Sequence, residues 1–312
     1  SYNFSLTVSS PVCNGGFDGS VIASVIGGTS PISYLWSTGD TSQMISNLSA
    51  GQYSIIITDA NNCIQYDTVV LTEPSETVND SNLTVITNIN CNGDSTGMIN
   101  ISPLGGVPPY SFVWSNGSTN EDLNNLSAGI YNVTIIDSLQ CNSSLYSFVL
   151  NEPSAINVNS ITNPISCNGL SDGSIDISTS GGVGNYTYLW SNGDTTEDIS
   201  GLSAGNYIIQ VIDSSNCIYT DSINIYEPAV LQASLSNNGT GLTSLATGGT
   251  SPYDYQVTGP GSFYASSLGN SGVSFTTTPL ISGTYTFTVI DANGCIDSTD
   301  IIFSVDSNFS PT

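Results

Sequence analysis

The sequence predicts an all-β protein built from four small sandwich modules in tandem, which together form an elongated rod. Three observations carry this prediction. Cysteine, tryptophan and tyrosine recur at fixed spacings, apolar and polar residues alternate over short stretches, and Gly, Asn, Asp and Pro interrupt the chain every 8 to 12 residues. Short alternating strands in units this small are typical of immunoglobulin-like Greek-key β-sandwiches.

The repeat defines the modules. Each of the first three has two cysteines 50 residues apart, a tryptophan 23 residues after the first cysteine, and a tyrosine 10 residues before the second. The repeated residues are Cys13, Trp36, Tyr53 and Cys63; Cys91, Trp114, Tyr131 and Cys141; and Cys167, Trp190, Tyr207 and Cys217. Each copy closes with Glu-Pro, which places the modules at 1–74, 75–153 and 154–228.

The remaining residues, 229–312, are predicted to form a divergent fourth module. Counting from its Gly-Gly pair puts Ser234 at the position of the first cysteine and Val257 at the position of the tryptophan. Eleven extra residues are expected in or near 259–279. In every module the stretch that begins at the repeated tyrosine, such as Tyr285 in the fourth, alternates with period two and predicts the most regular strand.

The composition excludes several classes of function. The 312 residues include no Lys, Arg or His, and 25 Asp and Glu give a formal charge of −25. Nucleic acids and anionic lipid heads would find no cationic side chain. Catalysis by Ser-His-Asp or Cys-His groups is excluded as well, and we expect no enzyme activity. No apolar run approaches a membrane span, and the start at Ser1 suggests a processed product or a fragment.

The cysteine spacing predicts disulfides within modules, because metal sites would need closer cysteines or histidine. The predicted pairs are Cys13–Cys63, Cys91–Cys141 and Cys167–Cys217, with Cys295 as a free thiol. Pairing across a module boundary, Cys63 with Cys91, is the alternative. A disulfide closing a loop of this size stabilises by roughly 4 kcal/mol, and its presence implies an oxidising compartment outside the cytoplasm.

Other repeated side chains allow two interpretations each. The tryptophans are expected in the cores, beside the disulfides, although stacking on a sugar ring is the sharper hypothesis. The tyrosines resemble tyrosine corners, whose hydroxyls bond upstream backbone. Asp59, Asp137, Asp213 and Asp291 either cap turns or bind a structural Ca²⁺, with Asp18, Asp172 or Asp80 as further ligands. The pairs Glu121/Asp122 and Glu197/Asp198 are expected to be solvated rather than catalytic.

The run C-N-G-x-x-D-G-S-I, followed by G-G-x-x-P-Y, Y-L-W-S-N-G, L-S-A-G-x-Y and D-x-x-N-C, resembles the SprB-type repeat of giant cell-surface gliding adhesins of Bacteroidota. The resemblance implies a type IX-secreted surface filament, moved by a motility machine and made of further copies of the repeat. The expected function is therefore a stalk segment of a repetitive extracellular adhesin at the cell surface. The alternative is a set of lectin-like modules that bind surface polysaccharide through loops 36–44, 114–122 and 190–198.

Two further expectations concern the surface of the stalk. The short Glu-Pro junctions predict stiff connections between modules. Asp-Ser/Thr dipeptides resemble the O-glycosylation acceptors used by Bacteroidota, and the candidate acceptors are Thr68, Ser138, Thr195, Ser222 and Ser298. No cofactor is expected other than the Ca²⁺ mentioned above.

Overall fold

The computed structural model describes residues 2–237, 241–270, 274–279 and 281–304. The chain divides into two compact units, Ser1–Pro153 and Ser154–Thr312. Both units are all-β and antiparallel, and this confirms the predicted fold class of small immunoglobulin-like modules. Within the described ranges, no helix is long and apolar enough to span a membrane.

The first module is a sandwich of two three-stranded sheets. Its strands are β1 (Tyr2–Ser9), β2 (Gly19–Gly27), β3 (Ser33–Trp36), β4 (Met44–Leu48), β5 (Gly51–Thr58) and β6 (Ile64–Leu71). One sheet has the order β1-β2-β4 and the other β3-β5-β6. Alternate side chains of β2 and β5, among them Val21, Ile55 and Ile57, are fully buried between the sheets, as the period-two pattern predicts.

The second and third modules repeat this arrangement. The second contains β7 (Val78–Asn79), β8 (Val85–Thr87), β9 (Gly97–Asn100), β10 (Pro103–Leu104), β11 (Ser111–Trp114), β12 (Leu123–Leu126), β13 (Gly129–Ile136) and β14 (Tyr146–Leu150). The third contains β15 (Asn157–Asn163), β16 (Gly173–Ser180), β17 (Tyr186–Trp190), β18 (Ile199–Leu202), β19 (Gly205–Asp213) and β20 (Ile218–Ile225). The third module has the sheet orders β15-β16-β18 and β17-β19-β20, which match those of the first.

The fourth module departs from the others on one sheet. Its elements are β21 (Gln232–Asn237), β22 (Leu242–Thr247), β23 (Tyr253–Gly259), a 3₁₀ turn (Pro260–Ser262), β24 (Phe263–Asn270), β25 (Ser274–Thr277), β26 (Gly283–Ile290) and β27 (Ile296–Phe303). The extra residues build β24, which adds a fourth strand in the order β24-β23-β26-β27. Val257 pairs with Phe287 as Trp36 pairs with Ile55. Ser234, however, lies inside β21 opposite Leu245, so its assignment to the first-cysteine loop was wrong.

Four hydrophobic clusters form the cores, and each lies within one of the four ranges predicted from the repeat. Trp36, Trp114 and Trp190 belong to these clusters and are 2–3% exposed. Each indole Nε1 donates to a backbone carbonyl six residues downstream, at 2.8–3.0 Å. The tryptophans are therefore core residues, as the sequence predicts, and their rings are not available to stack on a sugar.

The four repeated tyrosines pin the start of β5, β13, β19 and β26. Each hydroxyl donates to the carbonyl four residues upstream, at 2.8–3.0 Å; the acceptors are those of Ser49, Ser127, Ser203 and Ile281. This is the tyrosine-corner bond that the sequence predicts. It fixes the crossing of the chain from one sheet to the other.

Each module has two ends that matter for the site described below. We define the exit end as the end where β1 finishes and the Glu-Pro lies, or its equivalent. We define the entry end as the end where β1 begins and β5 finishes. Tyr2 marks the entry end of the first module, where its hydroxyl donates to the carbonyls of Ile57 at 2.7 Å and Cys63 at 3.2 Å.

Candidate functional site

Disulfides join the exit end of one module to the entry end of the next. Cys13 is bonded to Cys141 with a Cα–Cα distance of 5.5 Å, and Cys167 to Cys295 with 5.7 Å. Both bonds have a sequence separation of 128 residues. Cys91 and Cys217 are also disulfide-bonded, whereas Cys63 is a free, exposed thiol.

The predicted pairs Cys13–Cys63, Cys91–Cys141 and Cys167–Cys217 are therefore wrong, and so is the prediction that Cys295 is free. The reason is the separation of the two cysteines within a module. Cys13 lies at the exit end and Cys63 at the entry end, and the eight residues of β5 run between those ends. At about 3.3 Å per residue the strand spans roughly 25 Å, whereas a disulfide needs Cα atoms within about 7 Å. The tryptophans accordingly have no disulfide of their own module to pack against.

A latch holds the exit-end cysteine beside the point where the chain leaves the module. The latch consists of the Cys-Asn-Gly loop and the Glu-Pro pair. Gly15 N donates to Glu73 Oε2 at 2.7 Å, and Asn14 Nδ2 donates to the Pro74 carbonyl at 3.1 Å. The same two bonds recur for Gly93 and Asn92 with Glu152 and Pro153, and for Gly169 and Asn168 with Glu227 and Pro228. Sequence reasoning recognised both motifs but missed their contact.

The loop of the latch is also closed from its other side. Asp18 Oδ1 accepts from Val12 N at 3.2 Å, and Asp172 Oδ1 accepts from Ser166 N at 3.1 Å. In the second module, where the aspartate is replaced, Thr96 Oγ1 accepts from Asn90 N at 3.0 Å. The hydroxyl of Ser166 also bonds the carboxylate of Asp172 and lowers its pKa. These side chains shape the loop that carries the cysteine.

The linker between modules is short and is held by hydrogen bonds from both modules. In the first unit the Pro74 carbonyl accepts from Asn14 of the first module, and the next carbonyl, that of Ser75, accepts from Gly106 N of the second at 2.9 Å. In the second unit Pro228 and Ala229 are held in the same way by Asn168 and Gly249. Two adjacent carbonyl groups of the linker thus accept hydrogen bonds from two different modules. This arrangement supports the predicted stiff connection.

The Gly-Gly pairs at the entry ends of the second and fourth modules are required by this linker. A Cβ on Gly105 would lie 2.0 Å from the Glu76 carbonyl oxygen, and one on Gly248 would lie 1.9 Å from that of Val230. Both glycines also have positive φ angles, +75° and +71°. Only glycine combines that conformation with so close an approach of the incoming chain.

The four repeated aspartates organise the entry ends. Each carboxylate accepts three backbone N–H bonds: Oδ1 from the residues two and four positions later, and Oδ2 from the loop after the Gly-Gly pair. For Asp137 the donors are Leu139 at 2.9 Å, Cys141 at 2.8 Å and Val107 at 3.0 Å. The aspartates are 1–6% exposed. They cap the turn that presents the second cysteine, as one of the two predictions for them states.

These bonds change the acidity of two of the carboxyls. Donation from the Cys63 N–H, with smaller contributions from Thr29 and Asn61, lowers the pKa of Asp59. For Asp213 burial raises the pKa, but N–H donation from Cys217, Val183 and Ser215 outweighs burial and the net pKa is lowered. Asp80, proposed as a further ligand, accepts from Asn82 N in its own turn. The Ca²⁺ prediction stays untested; in the part of the chain that the structure describes, no three acidic or cysteine side chains cluster as metal ligands would.

A small polar cavity of about 130 Å³ lies at the first junction, beside the disulfide. It is lined by Cys13, Asn14, Pro74, Ser75, Glu76, Thr77, Asp137, Cys141 and Asn142. The Thr77 hydroxyl is buried and makes no hydrogen bond within the described residues. The corresponding places beside Gly182 and Gly249 hold the apolar side chains of Ile156 and Leu231. The second module thus has a polar side chain at a position where the third and fourth modules have an apolar one.

The remaining candidate residues lie on the surface. The proposed glycosylation acceptors, Thr68, Ser138, Thr195, Ser222 and Ser298, are all exposed. Asp122 and Asp198, from the two acidic pairs, each accept a backbone N–H of their own module, from Ile101 at 3.0 Å and Ile177 at 2.8 Å. These bonds give both aspartates a structural role.

Solved structures that match the chain include adhesion proteins with tandem domains. The N-terminal eight Ig domains of Down Syndrome Cell Adhesion Molecule, isoform 1.30.30, are 11% identical with a TM-score of 0.31, covering 98% of this chain and 60% of that one. Invasin, a bacterial integrin-binding protein, is 12% identical with a TM-score of 0.29, covering 96% and 79%. The BSP domain of a biofilm associated protein is 8% identical with a TM-score of 0.23, covering 98% and 96%. At these TM-scores the likeness carries no information on function.

No curated protein sequence matches the chain. The family model of the SprB repeat matches three stretches, residues 5–41, 83–119 and 159–195. Each stretch runs from β1 or its equivalent, through the Cys-Asn-Gly loop of the latch, to the loop after the buried tryptophan. The chain therefore contains three SprB repeats, one in each of its first three modules.

Proposed function

We propose that this chain is a stalk segment of a repetitive extracellular adhesin, and that its disulfides make the stalk resist extension. The observation that carries the proposal is the position of the bonds. Each described disulfide joins successive modules instead of closing a loop within one. An enzyme or a simple binding module would gain nothing from this placement, whereas a chain under tension would.

Under tension, the covalent path through each unit is short. In the first unit it follows β1 to Cys13, crosses the disulfide to Cys141, and leaves along β14. In the second unit it follows β15 to Cys167, crosses to Cys295, and continues along β27. Both strands on each path run from entry end to exit end. The 128-residue separation that each bond spans therefore lies outside the path of the force.

The length that the bonds withhold is large. A stretch of 128 residues would extend to about 450 Å at the 3.3–3.6 Å per residue of a fully extended chain. Unfolding of a module cannot release that length while its bond is intact. A filament of such units would keep its length under loads that lengthen ordinary tandem domains.

Composition and chemistry support an extracellular place for this stalk. Disulfides persist in oxidising compartments outside the cytoplasm. Proteases that cut after Lys or Arg find no site in the chain, and uniform negative charge disfavours association between stalks. We further propose that the stalk belongs to a longer cell-surface protein that is exported by a type IX system and used in gliding. We propose surface polysaccharide as the target of that protein. Glycans at the exposed Asp-Ser/Thr sites would add hydration to the stalk.

Single-molecule stretching of the full chain between its two ends tests the proposal. Without reductant, the chain should show no unfolding step that releases the 128-residue stretches. With reductant, the total released length should grow by about 450 Å for each of the two described bonds. The Cys63→Ser variant is the matched control and should behave like the unchanged chain in both conditions.

The proposal makes a second distinction in the same measurement. If the oxidised chain releases steps of a whole module at moderate force, as the reduced chain does, the disulfides do not carry the tension and the stalk function is wrong.

A further inference from the structure

The entry end of the first module matches, at nine of ten turn positions, an entry end that is covered elsewhere in the chain. Its turns read Gly-Gly-Thr-Ser-Pro at 27–31 and Asp-Ala-Asn-Asn-Cys at 59–63. The fourth module reads Gly-Gly-Thr-Ser-Pro at 248–252 and Asp-Ala-Asn-Gly-Cys at 291–295. The second and third modules differ in both turns. Their Gly-Gly pairs are followed by Val-Pro-Pro and Val-Gly-Asn, and their second turns begin with Asp-Ser instead of Asp-Ala.

The two matching ends have the same internal hydrogen bonds. Asn61 Nδ2 donates to Thr29 Oγ1 at 2.8 Å, and Asn293 Nδ2 donates to Thr250 Oγ1 at 3.1 Å. The aspartate of each turn accepts from the N–H of the cysteine, at 2.9 Å in both cases. The asparagine and the cysteine are thus held in the same positions at both ends.

At the fourth module these two residues bind the exit end of the third. Asn293 Nδ2 also donates to the Ser166 carbonyl at 2.9 Å, and Cys295 Sγ lies 3.4 Å from the same oxygen. Cys295 is bonded to the next residue, Cys167. The second module uses the same geometry, since Cys141 Sγ lies 3.6 Å from the carbonyl of Val12, which precedes Cys13.

From this correspondence we infer that the entry end of the first module is a docking surface for the exit end of a preceding module of the same type. The partner presents a cysteine in a Cys-Asn-Gly loop. Asn61 donates to the carbonyl that precedes this cysteine, and Cys63 forms the disulfide. The contrast in exposure fits the inference: Cys141, where a module covers it, is 9% exposed, whereas Cys63 is exposed.

The covalent step is an oxidation of two thiols. Cys63 and the partner cysteine each lose a proton and an electron as the S–S bond forms. A small-molecule disulfide such as oxidised glutathione takes up both electrons and both protons, and its two halves leave as thiols. This docking surface rests on the proposed stalk function. Its test detects a disulfide at Cys63, whereas the test of the stalk measures extension under force, so either result can fail without the other.

The test adds a preceding module to the full chain. Residues 154–228 are placed before Ser1 with one serine between them. This serine takes the position of Ala229, the single residue between Pro228 and Val230 at the corresponding junction. A second extended chain carries residues 1–74 in the same place. Both are oxidised in a glutathione buffer, and Cys63 is assayed by alkylation and by peptide mapping without reductant.

In the unextended chain an alkylating reagent should label Cys63 fully. In the chain extended by 154–228, labelling of Cys63 should fall at least tenfold, and Cys63 should be found bonded to the first cysteine of the added module. Changing that added cysteine to serine should restore full labelling. Full labelling of Cys63 in both extended chains, or dimers joined through two Cys63 residues in preference to the junction bond, would overturn the inference.

Discussion

Removing the disulfide at the first junction should destabilise both modules of the first unit, and the structure sets the size of the effect. In the Cys13→Ser/Cys141→Ser variant, a loop with a 128-residue separation is no longer closed in the unfolded chain. The chain-entropy relation gives about 5 kcal/mol for that loop when both modules unfold together. When only the first module unfolds, the closed loop runs from Cys13 to the linker at Pro74, and the loss is about 4 kcal/mol.

Hydrogen exchange measured by mass spectrometry resolves this loss by module. We expect the slowest amides of the first core in β5, around the fully buried Ile55 and Ile57. Because 1.4 kcal/mol is a factor of ten in an equilibrium constant, a loss of about 4 kcal/mol should speed their exchange roughly a thousandfold. The third and fourth modules keep the Cys167–Cys295 bond and should be unchanged.

The Cys63→Ser variant is the matched control, since it replaces a thiol of the same module that forms no disulfide. Its exchange should equal that of the unchanged chain. An acceleration of less than tenfold in the double variant would mean that the bond constrains neither module in the unfolded state.

Three further changes have defined outcomes. In the Asp137→Asn variant, the side-chain NH₂ group either faces a backbone N–H or leaves that N–H without an acceptor. The free energy of unfolding of the first unit, measured in urea, should fall by about 2–3 kcal/mol. A loss below about 0.5 kcal/mol would contradict the capping role. Thr77→Val removes a buried hydroxyl without a partner among the described residues and should raise stability by about 1 kcal/mol, whereas any clear loss would show that the hydroxyl is satisfied. The pKa values of Asp59 and Asp213 are lowered from 3.8. Their contribution to the free energy of unfolding is therefore complete above pH 3.8 and is lost as the pH falls through the folded-state pKa. Urea midpoints that already fall on acidification above about pH 5 would contradict this.

The sequence predicted the cores because the signals for them are local. Trp36 stands at the end of a short alternating strand, and Tyr53 follows a glycine at the start of another, and both keep their predicted roles. The aspartate turn was predicted on similar grounds, since Asp59 and Cys63 are four residues apart and their contact depends on one turn. Such contacts need no knowledge of how strands are ordered.

The cysteine pairing could not be predicted in this way. In a repeat, Cys13 has the same spacing to Cys63 whether it bonds within its module or to the next one. Counting strands with alternating directions would even place both cysteines at the same end, after one strand and after five. The structure breaks this count, because β3 and β4 run in the same direction on opposite sheets. The turn at Cys63 therefore lies at the other end of the module.

The latch was missed for a related reason. Asn14 and Glu73 are separated by 59 residues, and nothing near either residue in the sequence indicates their contact. The recurrence of Cys-Asn-Gly and Glu-Pro in each of three modules, at nearly the same distance from each other, is the signal that could have suggested it.

Peptide mapping without reductant shows which cysteines are joined, and therefore whether disulfides connect successive modules. The chain lacks Lys and Arg, so chymotrypsin must replace trypsin, with thiols blocked before digestion. We expect one linked pair of peptides that contains Cys13 and Cys141, another that contains Cys167 and Cys295, and a blocked thiol at Cys63. A linked pair that contains Cys13 and Cys63 would show that the disulfides close loops within modules instead.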